Sequence, residues 1–264
     1  MIRRPPRSTP SNSSAASDVY KRQGDYIYGR VIDLKIIMLL IQVKNLEKTY
    51  VNEGVETPAV RGVSFDIEKG EFVSIMGPSG SGKSTLLHML GFLDRHTGGE
   101  YRFNGKTIDD YNKTEIAHVR NQEMGFIFQD YNLLARTTVY DNVKLPLLYS
   151  NTKESEWDKI IRDAIEIVGI SHRLKHSSSQ LSGGEKQRVA IARSLVNNPK
   201  IIFADEPTGN LDSKNEKIIM DILKKLNRQG HTIIMITHED YLAKHTQRLI
   251  LMRDGRIEKD VPVT

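Results

Sequence analysis

The chain contains no cysteine, a single tryptophan and no long apolar run. Without cysteine it has neither a disulfide frame nor a thiolate metal site, a composition compatible with the reducing cytoplasm. No stretch approaches the ~18–20 apolar residues needed to cross a bilayer, the longest candidate being Ile36 to Ile41 with its flanks. Any membrane role is therefore expected to come through a partner. A charge excess is also missing from most of the chain. The formal charge is +5, yet residues 1–37 hold seven Lys/Arg against three Asp/Glu, which leaves 31 basic and 30 acidic residues elsewhere. A surface that neutralises the phosphates of a nucleic acid needs a basic body, so no nucleic-acid partner is expected.

What is present suffices for one globular unit: 264 residues, 38% of them hydrophobic. The first 37 residues stand apart. "MIRRPPRSTPSNSSAASDVYKRQ" is rich in Arg, Ser and Pro, lacks periodicity and has no apolar core of the kind a signal peptide requires. It resembles translated sequencing-adapter read-through, and residues 1–37 are expected to be a non-native or disordered extension. The folded domain is then expected over residues 38–264, opening at Met38 with the alternating strand pattern "MLLIQVKNLEKTY".

"EFVSIMGPSGSGKSTLLHMLGFL" reads as a strand over Phe72 to Met76, a glycine-rich loop, and a helix from about Lys83. Gly77, Gly82, Lys83 and Ser84 satisfy the phosphate-loop pattern G-x-x-x-x-G-K-[ST]. The backbone amides of Gly77-Pro78-Ser79-Gly80-Ser81-Gly82-Lys83-Ser84-Thr85 can close around phosphates, with Lys83 reaching the β and γ oxygens and the Ser84 hydroxyl facing Mg²⁺. "PKIIFADEPTGNLD" sets four apolar residues, Ile201 to Ala204, before Asp205 and Glu206, the pattern of a buried parallel strand whose carboxyl end opens onto a site. There Asp205 suits Mg²⁺ and Glu206 suits an attacking water. Alone, such a pair is more often a solvated loop start; beside a phosphate loop the functional reading prevails. "HTIIMITHED" delivers His238 to the same sheet edge, as a γ-phosphate contact or water positioner, or as an ordinary loop histidine. "GFIFQDYNLL" ends an apolar run at Gln129, whose amide could coordinate Mg²⁺ or orient water.

A second phosphate seat lies 99 residues beyond Lys83, in "QLSGGEKQRVAIARSL". Ser182 is a good helix N-cap, and Ile191 with Leu195 and Val189 with Ala192 follow helical spacing, so Ser182-Gly183-Gly184 opens a helix whose positive end could hold an anion. A merely structural cap is the bland alternative. Between the two seats, "TVYDNVKLPLLYSNTKESEWDKIIRDAIEIVGI" has helical periodicity.

Taken in order, Gly77 to Thr85, Gln129, Leu181 to Gln187, Ile201 to Glu206, Asp212 and His238 resemble the nucleotide-binding subunit of ABC transporters, over about Leu39 to Ile257. "LSGGEKQ" matches the signature that other phosphate-loop ATPases lack. The resemblance implies an α/β fold: a RecA-like P-loop NTPase core with an antiparallel β subdomain and an inserted α-helical subdomain, here about residues 130–185. It implies hydrolysis of ATP with Mg²⁺ in a head-to-tail homodimer, each Ser182-Gly183-Gly184 serving the ATP held by the neighbour. Tyr50 falls where an aromatic stacks on adenine, though an isolated Tyr could equally lie on a sheet surface. Asp212 matches the loop that communicates across the dimer, and an exposed acid starting a helix is the plain alternative. Asn104-Gly105 is a two-residue hairpin signal that suits the antiparallel sheet.

"HMLGFLDRHTGGEYRFNGK", "RNQEMGFIFQDYNLLARTTVYDNVKLPLLYS" and "LSGGEKQRVAIARSL" closely resemble the macrolide-exporter and lipoprotein-release ATPases. That group implies a separate integral-membrane permease with a large extracytoplasmic domain, a periplasmic or extracellular adaptor, and a place on the cytoplasmic face of a bacterial membrane. The permease is expected to dock near Gln129 to Leu134, where Tyr131, Leu133 and Leu134 could line a groove or simply be core. The chain ends about 26 residues after His238, so no appended regulatory domain is expected. Regulation of a cell-wall hydrolase through a membrane partner, or a soluble nucleic-acid-associated ATPase, are the rival readings.

Overall fold

The structure, a computed structural model, describes residues 39–263; the expected extension over residues 1–37 lies outside the described residues. Two sheets share the load. The first is four-stranded, in the order β2-β1-β4-β5: β1 (Leu39–Asn52), β2 (Val55–Glu68), β4 (Gly98–Phe103) and β5 (Lys106–Thr107). β4 runs antiparallel to both β1 and β5. Asn104 and Gly105 take φ values of 51° and 82°, as the two-residue turn requires.

The second sheet has six strands in the order β10-β9-β3-β8-β7-β6. Here β3 (Phe72–Met76), β8 (Thr232–Ile236), β7 (Ile201–Asp205) and β6 (Met124–Ile127) run parallel with β9 (Arg248–Arg253), while β10 (Arg256–Pro262) folds back antiparallel as an edge. The continuous apolar runs of β7 and β8 have a physical cause: both faces of this sheet are covered. Ile201, Phe203, Ile234 and Ile236 point into a core shared with the four-stranded sheet and α1 (Lys83–Leu90). Ile202, Ala204, Ile233 and Met235 point into a second core. That core is closed by α3 (Val139–Lys144), α4 (Glu154–Ile167), α5 (Gly183–Leu195) and α6 (Ser213–Arg228). Two further helices, α2 (Lys113–Glu123) and the short α7 (Asp240–Ala243), complete the elements used below.

Ile234 sits fully buried at the centre of β8, between β3 and β7. Ile234→Ala is expected to destabilise the domain by about 2–5 kcal/mol, the transfer loss plus a cavity that neighbouring strands cannot collapse into. A urea midpoint unchanged from wild type would show that the sheet relaxes there.

Because β3, β6, β7 and β8 are parallel, their carboxyl ends open on one edge, where a parallel sheet presents its crevice. That edge carries the loops after Met76, Ile127, Asp205 and Ile236.

Candidate functional site

The loop leaving β3 is shaped by close backbone approach. Gly77 has φ 151°, and a Cβ there would lie 2.1 Å from the carbonyl oxygen of Met252; Gly82 has φ 94°, and its Cβ would lie 2.3 Å from that of Ala59. Only glycine fits either position. Pro78, Ser79 and Gly80 form the exposed crown, while Ser81 turns its hydroxyl inward, buried and without a hydrogen-bond partner. Lys83 starts α1, is 7% exposed, and donates from Nζ to the carbonyls of Gly77 (2.9 Å) and Pro78 (2.8 Å). Burial pushes its ammonium below the ordinary lysine value, with Glu206 and Asp205 pulling it back up. Ser84 and Thr85 follow on the first turn, Ser84 exposed.

Asp205 closes β7. Burial raises its carboxyl above the usual range; Glu206 adds to that, while His88, Lys83 and the Ser84 hydroxyl work against it. Glu206 adopts a left-handed φ of 43°, a conformation that costs a non-glycine residue about 1–3 kcal/mol and clusters at working sites. Its amide donates to the Ile236 carbonyl at 3.1 Å, which fixes the residue against the end of β8. Its carboxylate lies 3.3 Å from His238 Nδ1, with the histidine 59% and the glutamate 25% exposed. Gln129 meets the same spot. A Cβ on Gly209 would be 2.9 Å from Gln129 Nε2 and 3.5 Å from Glu206 Oε2, so the two side chains flank one glycine. The structure thus gathers Gly77–Thr85, Asp205, Glu206, His238 and Gln129 at the one sheet edge.

Ser182, Gly183 and Gly184 open α5 elsewhere. Ser182 caps the helix reciprocally with Glu185: the Glu185 amide donates to Ser182 Oγ, and the Ser182 amide donates to Glu185 Oε2 at 2.9 Å. Burial works to raise the Glu185 carboxyl, but hydrogen bonds from the Ser182 amide, Arg173 and the Ser182 hydroxyl prevail and hold it at about 2. Gly183 packs against the Tyr131 hydroxyl and Gly184 against Asn215, the residue whose amide donates to Asp212 Oδ1 at 2.8 Å. Asp212 is the exposed N-cap of α6 and neighbours Ser182-Gly183-Gly184 through Asn215. Among the described residues no hydrogen bond links Ser182–Gly184 to Gly77–Thr85. Tyr50, on β1, is 36% exposed, donates to Asp94 Oδ2 at 3.0 Å and has the Lys48 ammonium 4.8 Å from its ring centroid.

Residues 60–209, which include this loop, both carboxylates and the Ser-Gly-Gly helix start, match the ABC transporter family. The chain belongs to the ABC transporter ATPases. It is 52% identical over 221 residues to the macrolide export ATP-binding/permease protein MacB of Bdellovibrio bacteriovorus, covering 84% of this chain and 34% of that protein. It therefore spans about a third of the length of such relatives. It is also 48% identical over 219 residues to the uncharacterized ABC transporter ATP-binding protein YknY of Bacillus subtilis, covering 83% of this chain and 95% of that one. Among solved structures, a dimeric post-hydrolysis state of the ATP-binding cassette MJ0796 bound to ADP and Pi superposes with a TM-score of 0.78 at 40% identity, over 85% of this chain and 99% of that one. The P-loop NTPase fold expected for an ABC ATPase is the fold observed.

The site of this ABC ATPase fits a magnesium nucleotide. Mg²⁺ takes hard oxygen donors and keeps part of its shell for phosphates and water. Ser84 and Asp205 offer such donors side by side, and Gln129 brings an amide to the same edge. Among the described residues no three His, Cys, Asp or Glu side chains are placed to hold a metal ion together, so phosphate oxygens and water would complete a cation's shell here. The unpartnered Ser81 hydroxyl and the exposed loop crown suit an anion with many acceptor oxygens.

Residues to which the sequence alone assigned no role support this edge. Gln187, fully buried on α5, donates from Nε2 to the carbonyl of Pro207 at 2.7 Å and reaches that of Phe128 at 3.5 Å. One amide thus braces the backbone after Glu206 and before Gln129. Arg193 donates to the carbonyls of Tyr131 (2.9 Å) and Asn132 (2.5 Å), both in left-handed conformations. The polar residues inside the otherwise apolar stripe of α5 were the available signal. A groove of about 800 Å³ runs beside that loop, lined by Leu93, Phe126, Pro146, Tyr149, Asn132 and Arg193 among others. Of the residues that could line a groove or be core, Leu133 packs on the second core, and Asn132, one of two successive left-handed residues, lines this groove.

Proposed function

We propose that this chain hydrolyses ATP as a head-to-tail homodimer and drives a membrane permease of the export or mechanical-transmission kind, from the cytoplasmic face of a bacterial membrane. The observation that carries the reading is the pair of phosphate seats on one chain, the Gly77–Thr85 cradle and the Ser182 helix start, with no hydrogen bond between them among the described residues. The second seat then serves the nucleotide of the partner subunit. Residues 38–264 form the ATPase domain in this reading, and about residues 130–185, with α3 and α4, its helical subdomain.

Within each site Tyr50 offers a ring face to adenine. The amides of the cradle and Lys83 bind and orient the phosphates. Ser84, Asp205 and Gln129 are the residues that would hold Mg²⁺, which supplies charge neutralisation at the β and γ oxygens. Glu206 accepts a proton from the attacking water, and His238, 3.3 Å away, steadies that carboxylate and the γ-phosphate. Contacts made by Ser182, Gly183, Gly184 and Asp212 only in the closed dimer shift the equilibrium towards closure when ATP is bound. The groove beside Asn132 would receive a cytoplasmic segment of the permease, whose extracytoplasmic domain, with a periplasmic or extracellular adaptor, would meet the cargo.

Shared sites make the rate depend on dimer concentration. The ATPase rate per chain is expected to rise with chain concentration in the dilute range, and to fall to background when EDTA removes Mg²⁺. A rate per chain that stays constant on dilution well below the dimer dissociation constant would overturn the shared-site reading.

A further inference from the structure

Tyr50 does not stand alone. Lys48 and Tyr50 are two residues apart on β1 and so share one side of the strand. Asp94 lies in the segment that follows α1. Its two oxygens are used separately: Oδ1 accepts from Lys48 Nζ at 2.7 Å and Oδ2 from the Tyr50 hydroxyl at 3.0 Å. Lys48 also donates to the Arg95 carbonyl at 2.7 Å and holds its ammonium 4.8 Å from the Tyr50 ring centroid. The Lys48 side chain is only 10% exposed, whereas Tyr50 is 36% exposed. A buried cation therefore lies over the ring of a partly exposed tyrosine.

We propose that Lys48 and Asp94 are positioning residues that hold the Tyr50 ring as a fixed stacking platform for a purine base and tie that platform to the phosphate cradle. The proposal rests on the reading of Tyr50 as the base contact and deepens it. An ion pair that served stability alone would need only Lys48 and Asp94; here the carboxylate reaches past the lysine to the phenol. The same turn is stitched to β1 by three more hydrogen bonds, from the Thr97 amide (2.8 Å) and hydroxyl (3.3 Å) to the Glu47 carbonyl and from the Thr49 amide to Thr97 Oγ1 (3.0 Å). α1 starts at Lys83 in the cradle and leads into Asp94, so one short helix joins the two ends of the binding site. A platform fixed before binding lowers the ordering cost of nucleotide capture. Burial works to raise the Asp94 carboxyl, but hydrogen bonds from Lys48, Tyr50 and the Arg95 amide outweigh it and keep it below the usual carboxylate range, so it stays an acceptor.

The test uses the full chain and measures the KM for ATP, kcat, and inhibition by inorganic tripolyphosphate, which has no base. Lys48→Met and Asp94→Ala are each expected to raise the ATP KM roughly threefold to tenfold, the scale of one aromatic stacking contact, without a matching fall in kcat. Tripolyphosphate inhibition should not move. Tyr50→Phe keeps the ring and removes only the tie to Asp94; it should raise the KM similarly, and no further when combined with Asp94→Ala. If Tyr50→Ala raises the ATP KM while Lys48→Met, Asp94→Ala and Tyr50→Phe leave it unchanged, the positioning role is wrong and the base contact stands. If Tyr50→Ala leaves the KM unchanged, the base contact itself fails and the proposal with it. Equal weakening of ATP and tripolyphosphate would also overturn the proposal, since the pair would then act on the cradle. Should Asp94→Ala fail to fold, Tyr50→Phe, which deletes a single hydroxyl, decides the matter.

Discussion

Lys83→Ala should abolish ATP hydrolysis, with a fall of at least about 100-fold in kcat, the scale seen when one preorganised donor to a developing charge is removed. The reason lies in where the ammonium sits. It is 7% exposed and rests on the carbonyls of Gly77 and Pro78, so it is held within its own loop before any phosphate arrives. Burial already makes the charged form costly, and the carboxylates of Glu206 and Asp205 offset it only in part. A polyphosphate would provide the compensation that burial withholds, which is why a buried lysine in a glycine-rich loop binds such an anion strongly. The fold should survive, because the ammonium's hydrogen bonds go only to carbonyls of its own loop, those of Gly77 and Pro78. Phosphate release and thermal melting measured together check both parts. A variant that melts as wild type and keeps more than about a tenth of the rate would remove Lys83 from the reaction.

The second large effect belongs to Glu206. Glu206→Gln keeps the shape of the side chain but removes its capacity to accept a proton from water, so turnover should fall roughly 100- to 10,000-fold while ATP still binds. Two features make the replacement clean. The left-handed backbone is fixed by the amide bond to the Ile236 carbonyl, which the substitution leaves in place. Burial remains the main cause that raises the Asp205 carboxyl, and the substitution removes only the smaller push in the same direction from the Glu206 charge. With binding intact and hydrolysis blocked, ATP contacts made across the dimer are never released, and the closed form accumulates by mass action. Size-exclusion chromatography with ATP should show a dimer for Glu206→Gln under conditions in which wild type elutes as a monomer. A Glu206→Gln protein turning over ATP at the wild-type rate would sink its role as the base.

Much of this molecule follows from local chemistry. The apolar runs Phe72–Met76, Ile201–Ala204 and Thr232–Ile236 declare buried strands, because a sheet covered on both faces admits no alternation. Gly77, Gly82, Lys83 and Ser84 declare the glycine-rich loop, because close backbone approach and a lysine folded back on its own loop have a fixed spacing within one turn of chain. Asn104-Gly105 declares a hairpin for the same reason, and Asp254-Gly255 between β9 and β10 carries the same left-handed pair. These features depend on residues a few positions apart.

Tertiary structure decided what depends on residues far apart. Asp94 lies 46 positions from Lys48 and 44 from Tyr50, and nothing in either local pattern says that one carboxylate serves both. Gln187 looks like one more polar residue on an amphipathic helix until the fold sets it against Pro207 and Phe128. Asn132 lines the groove from a loop with two consecutive left-handed residues, whose carbonyls both accept from Arg193 of another element. The sequence by itself determined the secondary structure of the core, the phosphate cradle and the acids at the sheet edge, since each is governed by backbone sterics or solvent exclusion acting over one element. Which side chains brace them was decided only when packing brought distant segments together, where a buried polar atom must find its partner wherever the fold supplies one.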